Sequence, residues 1–307
     1  MPVIYGQHLV YPDLATMPYT EYENNEEYLH QLHVIGVGQF QFEELSIDDS
    51  PISSFAEVQA QVIEPGGQNT LFNPDVVTAP EVSGQELIAV SDAGAIVGPF
   101  ALNPVGTLIN QVGVDVVTRK LPSWSPSTGW SAPQPTRSIA WAFADAVKAS
   151  YGAGLPDRQL DLAALAQLDA VWSARGDTFN AVFDQNQTVW DALGQIARTG
   201  RAVPFLQGGI VRIVRDEPKT IPVALFSARN IVRNSLKIQY LMPGDATADA
   251  VTIEYVNPKS WKPDEFTVSL PGSQAAKPAR VRLFGCTDKA QGIREGKYIA
   301  AANRYRR

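Results

Sequence analysis

Turn-forming residues are frequent in this chain and limit the length of its regular elements. It contains 22 prolines and 23 glycines among 307 residues. Proline removes a backbone donor, and glycine adds backbone freedom, so both interrupt helices and strands. Their spread predicts short elements joined by many turns rather than long helices. With a length that suits roughly two domains, we predict an α+β, strand-rich, multi-domain protein.

Charge is distributed unevenly along the sequence. All 25 Lys and Arg residues lie at or after Arg119, whereas 16 of the 32 Asp and Glu residues precede it. The two parts therefore carry formal charges of −16 and +9, within a total of −7. This suits head-to-tail packing of identical copies, or two domains of different surface composition. The basic residues form no dense run, so we predict no nucleic acid binding.

Hydrophobic periodicity and prolines divide the first half of the chain. Residues 1–118 alternate apolar and polar positions in several short segments and predict an acidic β-rich domain. Two of these segments, 28–36 and 43–47, predict a hairpin. Residues 119–135 contain four prolines, which predict an irregular linker.

The second half combines a helical segment with further strands. Residues 136–205 predict three helices, because apolar residues recur at helical spacing after residues that favour N-caps. The predicted caps are Thr136 and Asp161, and the third helix is predicted to run from about Thr188 to Arg198. Residues 206–307 predict a second β-rich domain that includes a strand at 236–240 and ends in a helix starting near Lys289.

The residues offer little chemistry for catalysis. The chain has three histidines and a single cysteine, Cys286, which excludes an internal disulfide and a cysteine-based zinc site. His30 and His33 fall on opposite faces of a predicted strand and could not share a metal. No nucleophile elbow, Walker loop or zinc-protease helix occurs. We predict no enzyme, no catalytic residues, no metal and no cofactor.

Membrane and secretion signals are also missing from the pattern. No apolar run approaches the roughly 18 residues of a membrane helix, and the N-terminal residues lack the basic and apolar regions of a signal peptide. We therefore expect no stable membrane insertion and no secretion by a signal peptide.

Several sequence blocks resemble one known family. They are VTRKLP at 117–122, PQPTRSIAWAFAD at 133–145, RGDTFN at 175–180, WDAL at 190–193 and LFGCTD at 283–288. Together they resemble the tail tip attachment protein J family of long-tailed, lambda-like phages and prophages. Further blocks extend the resemblance over nearly the whole chain.

The resemblance implies a structural role at the virion tail tip. Such a protein forms a homotrimeric hub, assembled in the bacterial cytoplasm, which closes the distal tail tube and connects it to host-attachment fibres. Its partners would be further copies of itself and the distal tail and tape-measure proteins of the same phage. We expect two small β-barrel-like domains, within 1–118 and about 206–307, with the helical segment outside or between them.

The chain departs from the family pattern at one internal point. Family members usually carry an additional β-rich segment before the 118–122 block, whereas here that block follows the strand at 112–116 directly. Either a natural variant lost this segment or the chain was shortened. The family also continues beyond the equivalent of Arg307 into fibronectin-like modules and fibre segments.

Six residues are candidate structural or interaction anchors. They are Trp124, Trp130, Arg137, Trp141, Trp190 and Trp261. Two alternative functions remain open from the sequence. The first is a carbohydrate-binding or receptor-binding module that uses Trp124 and Trp130, and the second is a tail-associated cell-wall hydrolase.

Overall fold

A computed structural model of the chain shows a mixed, strand-rich architecture. It describes residues 2–15, 18–23, 26–43, 45–47, 50–55, 58–65, 67, 70–71, 85–93, 112–218, 222, 224–227, 229–233, 235–237, 248–273 and 278–305. Within these ranges lie four α-helices and several small sheets, so the predicted α+β class is confirmed. None of the sheets built by these residues closes into a barrel. The two barrel-like domains stay a prediction.

Strands dominate the first 121 residues, and strands and helices share the remainder. The first group is β1 (Val3–Tyr5), β2 (Gln7–Val10), β3 (Asp13–Leu14), β4 (Tyr19–Glu23), β5 (Glu26–Val37), β6 (Phe40–Phe42), β7 (Leu45–Ile47), β8 (Ser50–Pro51), β9 (Val58–Ile63), β10 (Gln85–Ala93) and β11 (Val112–Leu121). The second group is β12 (Trp124–Ser125), β13 (Gly129–Trp130), β14 (Gln134–Pro135), α1 (Ile139–Lys148), α2 (Leu162–Arg175), β15 (Ala181–Phe183), α3 (Val189–Thr199), β16 (Ala202–Gln207), β17 (Ile210–Arg215), β18 (Ala250–Val256), β19 (Pro263–Ser269), β20 (Ala279–Arg282) and α4 (Lys289–Tyr305).

The front strands form two sheets. One has the order β3-β5-β10-β9, with β4 also paired to β5. The other is organised around β11, which pairs with β2 along one edge and with β6 and β7 along the other. The predicted hairpin between 28–36 and 43–47 is wrong, because β5 pairs with β10 and β7 pairs with β11. The two predicted hairpin strands therefore belong to different sheets, and each pairs with a strand far away in the sequence.

Residues 119–135 are not irregular, which corrects the sequence prediction. Arg119 to Leu121 extend β11, while β12 and β13 form a hairpin in which Trp124 lies opposite Trp130. Strand β14 then returns to pair with the end of β11. The prolines are accommodated because they lie in turns, between strands or at a strand edge, where no ladder donor is needed.

The three predicted helices of 136–205 are present. Asp161 Oδ1 accepts a hydrogen bond from Ala164 N at 3.1 Å, and Thr188 Oγ1 accepts one from Asp191 N at 3.1 Å, as expected of N-caps. The first helix is instead capped by Ser138, whose Oγ accepts from Trp141 N at 3.3 Å. Thr136 lies two residues earlier and accepts from Ser138 N.

The largest core joins parts of the chain that the sequence placed in separate segments. Helices α1, α2 and α3 pack with β16 and β17, and Tyr5 and Leu121 from the front strands belong to the same buried cluster. Strand β1 also pairs antiparallel with β15, from Val3 opposite Phe183 to Tyr5 opposite Ala181. The helical segment and the front strands therefore share one core.

The rear strands and the last helix form a smaller core. Strand β18 lies between antiparallel β19 and parallel β20, and α4 packs against this sheet. A Cβ at Gly292 would lie 2.8 Å from Phe266 Cζ, so glycine permits this close approach. In the predicted strand at 236–240, Leu236 and Lys237 are not in a strand, and 238–240 lie outside the described residues. None of the described helices has the length and apolar character needed to cross a membrane.

Candidate functional site

A polar cluster, here called the tyrosine joint, connects β1, β11 and α1; Tyr5 and Arg119 are buried in it, and Tyr151 is 38% exposed. It consists of Tyr5, Arg119, Asp145 and Tyr151. The hydroxyls of Tyr5 and Tyr151 both donate to Asp145 Oδ2, that of Tyr5 at 2.9 Å. Arg119 Nη2 donates to the Tyr151 hydroxyl at 3.0 Å and lies 3.8 Å from Asp145 Oδ2. One carboxylate therefore holds groups from three elements together.

Burial determines how the tyrosine joint behaves electrostatically. Burial, reinforced by the negative charge of Asp145, raises the pKa of Tyr5 and of Tyr151 above the ordinary tyrosine value. Both hydroxyls therefore stay protonated at neutral pH and remain donors. These bonds hold β1 and the segment after α1 to the Asp145 carboxylate.

The Arg119 side chain depends on a glycine next to it. Arg119 is only 4% exposed, and its guanidinium lies 5.2 Å from the centre of the Phe40 ring. At Gly38, which has φ +103°, a Cβ would lie 1.9 Å from Arg119 Nη1. Only glycine fits both this backbone conformation and the space that the guanidinium occupies.

A second polar cluster, here called the amide joint, connects the front strands to α4. Asn180 Oδ1 accepts from the backbone N of Gln7 at 2.8 Å and from Arg137 Nε at 3.2 Å. Asn180 Nδ2 donates to Thr287 Oγ1 at 2.6 Å. Gln291, fully buried on α4, exchanges two hydrogen bonds with the backbone of Thr178. Arg137, one of the predicted anchors, thus lies in an internal contact.

Three of the predicted anchors lie close together on the helical core. Trp130 Nε1 donates to Asp157 Oδ2 at 2.7 Å, and Lys148 Nζ lies 3.7 Å above the Trp130 ring. The rings of Trp130 and Trp141 pack edge to face at 6.0 Å. Trp124 lies opposite Trp130 in the hairpin and packs against the same core. These tryptophans contact their own chain, as residues that pin the hairpin would.

The remaining two predicted anchors lie apart from this group. The Trp261 ring lies 5.0 Å from His8 of β2, so it links the β18–β19 turn to the front strands. Trp190 lies on α3 with 47% of its surface exposed. The structure therefore distributes the six anchors among three internal contacts and one exposed position.

Cys286 and Asp264 both have hydrogen-bond partners within the chain. Cys286 is fully buried, and burial raises the pKa of its thiol to about 12, so it stays protonated at neutral pH. Asp264 accepts hydrogen bonds from Tyr255 and Asn257 at 3.2 and 3.3 Å. In the part of the chain that the structure describes, no group of three His, Cys, Asp or Glu residues could hold a metal ion.

An exposed segment after β17 differs from all of these contacts. We call it the basic arm and define it as the described residues of 224–237. Leu225, Phe226, Val232 and Leu236 are 66–81% exposed there. Arg229, Arg233 and Lys237 lie beside them, and no acidic residue occurs between 218 and 244. The segment combines large apolar side chains with uniformly positive charge.

Local hydrogen bonds shape the basic arm. Asn230 Oδ1 accepts from Ser227 N at 2.9 Å, and Asn230 Nδ2 donates to Leu225 O at 3.1 Å. These bonds fold a turn that leaves Leu225 and Phe226 facing outward. Sequence analysis missed this surface, although the run of basic and apolar residues without an acid was a visible signal.

The β16–β17 hairpin displays a second exposed apolar surface. Val203 lies directly opposite Val214, and both side chains are exposed, as is that of Leu206. Isolated apolar residues on a surface are common, but a group of them marks a contact site. The hairpin ends at Arg215 and the basic arm begins at 224, so both surfaces belong to the positively charged part of the chain.

In comparisons with known proteins, no family model matches this chain, and no curated protein matches it significantly.

Proposed function

We propose that this protein is a non-catalytic structural subunit of a phage tail tip. In this role it assembles with copies of itself into a hub that closes the distal tail tube and connects it to host-attachment fibres. The sequence blocks that resemble the tail tip attachment protein J family motivate the biological setting. The homotrimer, the two barrel-like domains, the tail and tape-measure partners and the virion location all belong to this proposal.

The observation that carries the assembly role is the basic arm. Its four large apolar side chains are 66–81% exposed. Fully burying a side chain of this kind contributes about 1.5–3 kcal/mol. A partner that covers the arm would therefore gain a substantial hydrophobic contribution, which argues for a protein contact at this position.

Charge favours the front of a second copy as the partner surface. The arm is basic, whereas residues 1–118 carry 16 acidic side chains and no Lys or Arg. Opposite charges bring such surfaces together and disfavour contact between two arms. Because the arm and the front surface differ, the contact is head-to-tail. In a closed ring of copies, every arm would contact the front surface of a neighbouring copy.

The test compares self-association of the whole chain with that of an arm variant. In sedimentation velocity we expect a concentration-dependent trimer that weakens as NaCl rises from about 0.1 to 1 M, since the screening length falls from about 10 to 3 Å. Replacing both Leu225→Ser and Phe226→Ser should weaken association about 100-fold or more.

The control is Tyr305→Ser, which removes an exposed aromatic ring outside the arm and should leave association unchanged. A chain that stays monomeric at every concentration contradicts the proposal. An oligomer that responds to neither salt nor the arm substitutions contradicts the assigned interface.

A further inference from the structure

A cavity of about 410 Å³ opens between the segment after β15, helix α3 and the strand end at Leu283. Its size lies within the range of about 300–1,000 Å³ that is usual for small-ligand sites. Phe183 and Phe284 line it, with ring centres 5.1 Å apart. These rings give the cavity an apolar wall against which a flat, weakly polar ligand face could pack.

The rest of the cavity is lined by groups suited to hydroxyl recognition. Gln185, Gln187, Gln195 and Asp184 border it. Gln195 Nε2 donates to Gln187 Oε1 at 3.1 Å, which fixes both side chains relative to each other. This bond leaves the Gln187 amino group and the Gln195 carbonyl oxygen for a ligand. Amides both donate and accept, as the hydroxyl groups of a sugar require.

Two arginines add positive charge to the same cavity. Arg198 projects from α3, and Arg282 lies at the end of β20. Among the described residues, neither guanidinium pairs with a carboxylate within the 4.0 Å ion-pair distance. This contrasts with Arg201, whose guanidinium is engaged by Glu295 at 2.8 Å. Two arginines without ion-pair partners at one cavity suit a ligand carboxylate, which guanidinium groups bind with paired hydrogen bonds.

We propose that this cavity binds a saccharide that carries a carboxylate, such as a uronic acid unit. Phe183 and Phe284 pack against the apolar face of the ring, the glutamines and Asp184 bind its hydroxyls, and Arg198 and Arg282 bind its carboxylate. The site lies away from Trp124 and Trp130, which the sequence favoured for carbohydrate. It goes beyond the assembly role and does not depend on it.

Saturation-transfer NMR and calorimetry with two matched glycosides test the site on the whole chain. Methyl β-D-glucuronide and methyl β-D-glucoside share one ring and differ in the carboxylate. We expect the glucuronide to bind about tenfold more tightly, because a hydrogen bond to a charged group is worth more than one to a neutral group. Arg198→Ala and Arg282→Ala should each remove that preference, and Gln187→Ala should weaken both glycosides.

Arg158→Ala serves as the matched control, since Arg158 is exposed and lies outside the cavity; it should leave both affinities unchanged. Binding of neither glycoside overturns the proposal, as does glucuronide binding that survives both arginine substitutions. Acetate that competes as well as the glucuronide also overturns it, because the cavity would then recognise only a carboxylate, such as an acidic side chain of a partner protein.

Discussion

The tyrosine joint and the basic arm differ in where their side chains find contacts: the joint uses distant parts of the chain, whereas the arm uses only near neighbours. In the joint, residues up to 140 positions apart meet, and Arg119 is almost fully buried. In the arm, hydrogen bonds between the described residues span at most five positions, and the largest apolar side chains are exposed. The joint is formed by residues of a single chain. The arm has the composition of an interface and lacks such a partner within the described residues.

The largest expected effect on the free energy of unfolding comes from replacing a buried phenylalanine rather than an exposed one. Phe179 is fully buried among Tyr5, Phe183 and Phe284, whose rings lie within 6.3 Å of it. Phe179→Ala should lower the free energy of unfolding by about 3–5 kcal/mol. The matched control, Phe226→Ala in the arm, should change it by less than about 0.5 kcal/mol. Urea unfolding at low protein concentration measures both, and equal losses would contradict the contrast.

Local signals in the sequence predicted the helices well. Asp161 was predicted as an N-cap and Thr188 as the start of the third helix, because a short side-chain oxygen before an apolar periodic run marks a helix start. The cap of α1 was misplaced by two residues because Thr136 and Ser138 are both suitable hydroxyl residues. In the structure the Ser138 hydroxyl accepts from Trp141 N and so caps the helix.

Contacts between distant segments could not be predicted in the same way. The bond between Gln7 N and Asn180 Oδ1 joins residues 173 positions apart, and no periodicity encodes such a pairing. The hairpin at Trp124 and Trp130 was missed because four prolines suggested an irregular segment, although prolines at turns and edges are compatible with strands. The cavity with Arg198 and Arg282 likewise depends on three separate parts of the chain.

The next prediction tests the charge within the tyrosine joint. Arg119→Met keeps much of the side-chain volume but removes the cation beside Asp145. We expect a loss of about 3 kcal/mol in the free energy of unfolding, because a largely buried carboxylate loses its compensating charge. Exposed Arg158→Met should have little effect.

A double variant sharpens this test. In Arg119→Met combined with Asp145→Asn, the uncompensated charge is gone, so the total loss should be smaller than the sum of the single losses. Purely additive losses in urea unfolding would show that the two charges do not interact.

The smallest expected effect on the free energy of unfolding comes from raising the pH into the alkaline range. The raised pKa values of Tyr5 and Tyr151 mean that the unfolded chain ionises these phenols first, near pH 10. Their contribution to stability is therefore complete below pH 10 and is lost as pH rises above it, by up to about 1.4 kcal/mol per pH unit for buried Tyr5 and by less for Tyr151, which is 38% exposed and screened by solvent. Unfolding measured between pH 9 and 12 should show this decline.

Replacing both tyrosines tests whether Tyr5 and Tyr151 cause the loss of stability at alkaline pH. Tyr5→Phe combined with Tyr151→Phe should flatten the decline above pH 10, while both proteins should be insensitive to these groups between pH 6 and 8. A variant that keeps the full alkaline slope would place its origin elsewhere in the molecule.

The absence of Lys and Arg before Arg119 also determines how the protein responds to proteases and amine reagents. Trypsin cleaves after Lys or Arg, so it has no site in the first 118 residues, and the first candidate bond follows Arg119, which is buried in β11. Reagents that join lysines to carboxylates find side-chain carboxylates but no lysine among these 118 residues. A link between the arm of one copy and the front of another would therefore attach a rear lysine to a single, uncut front peptide.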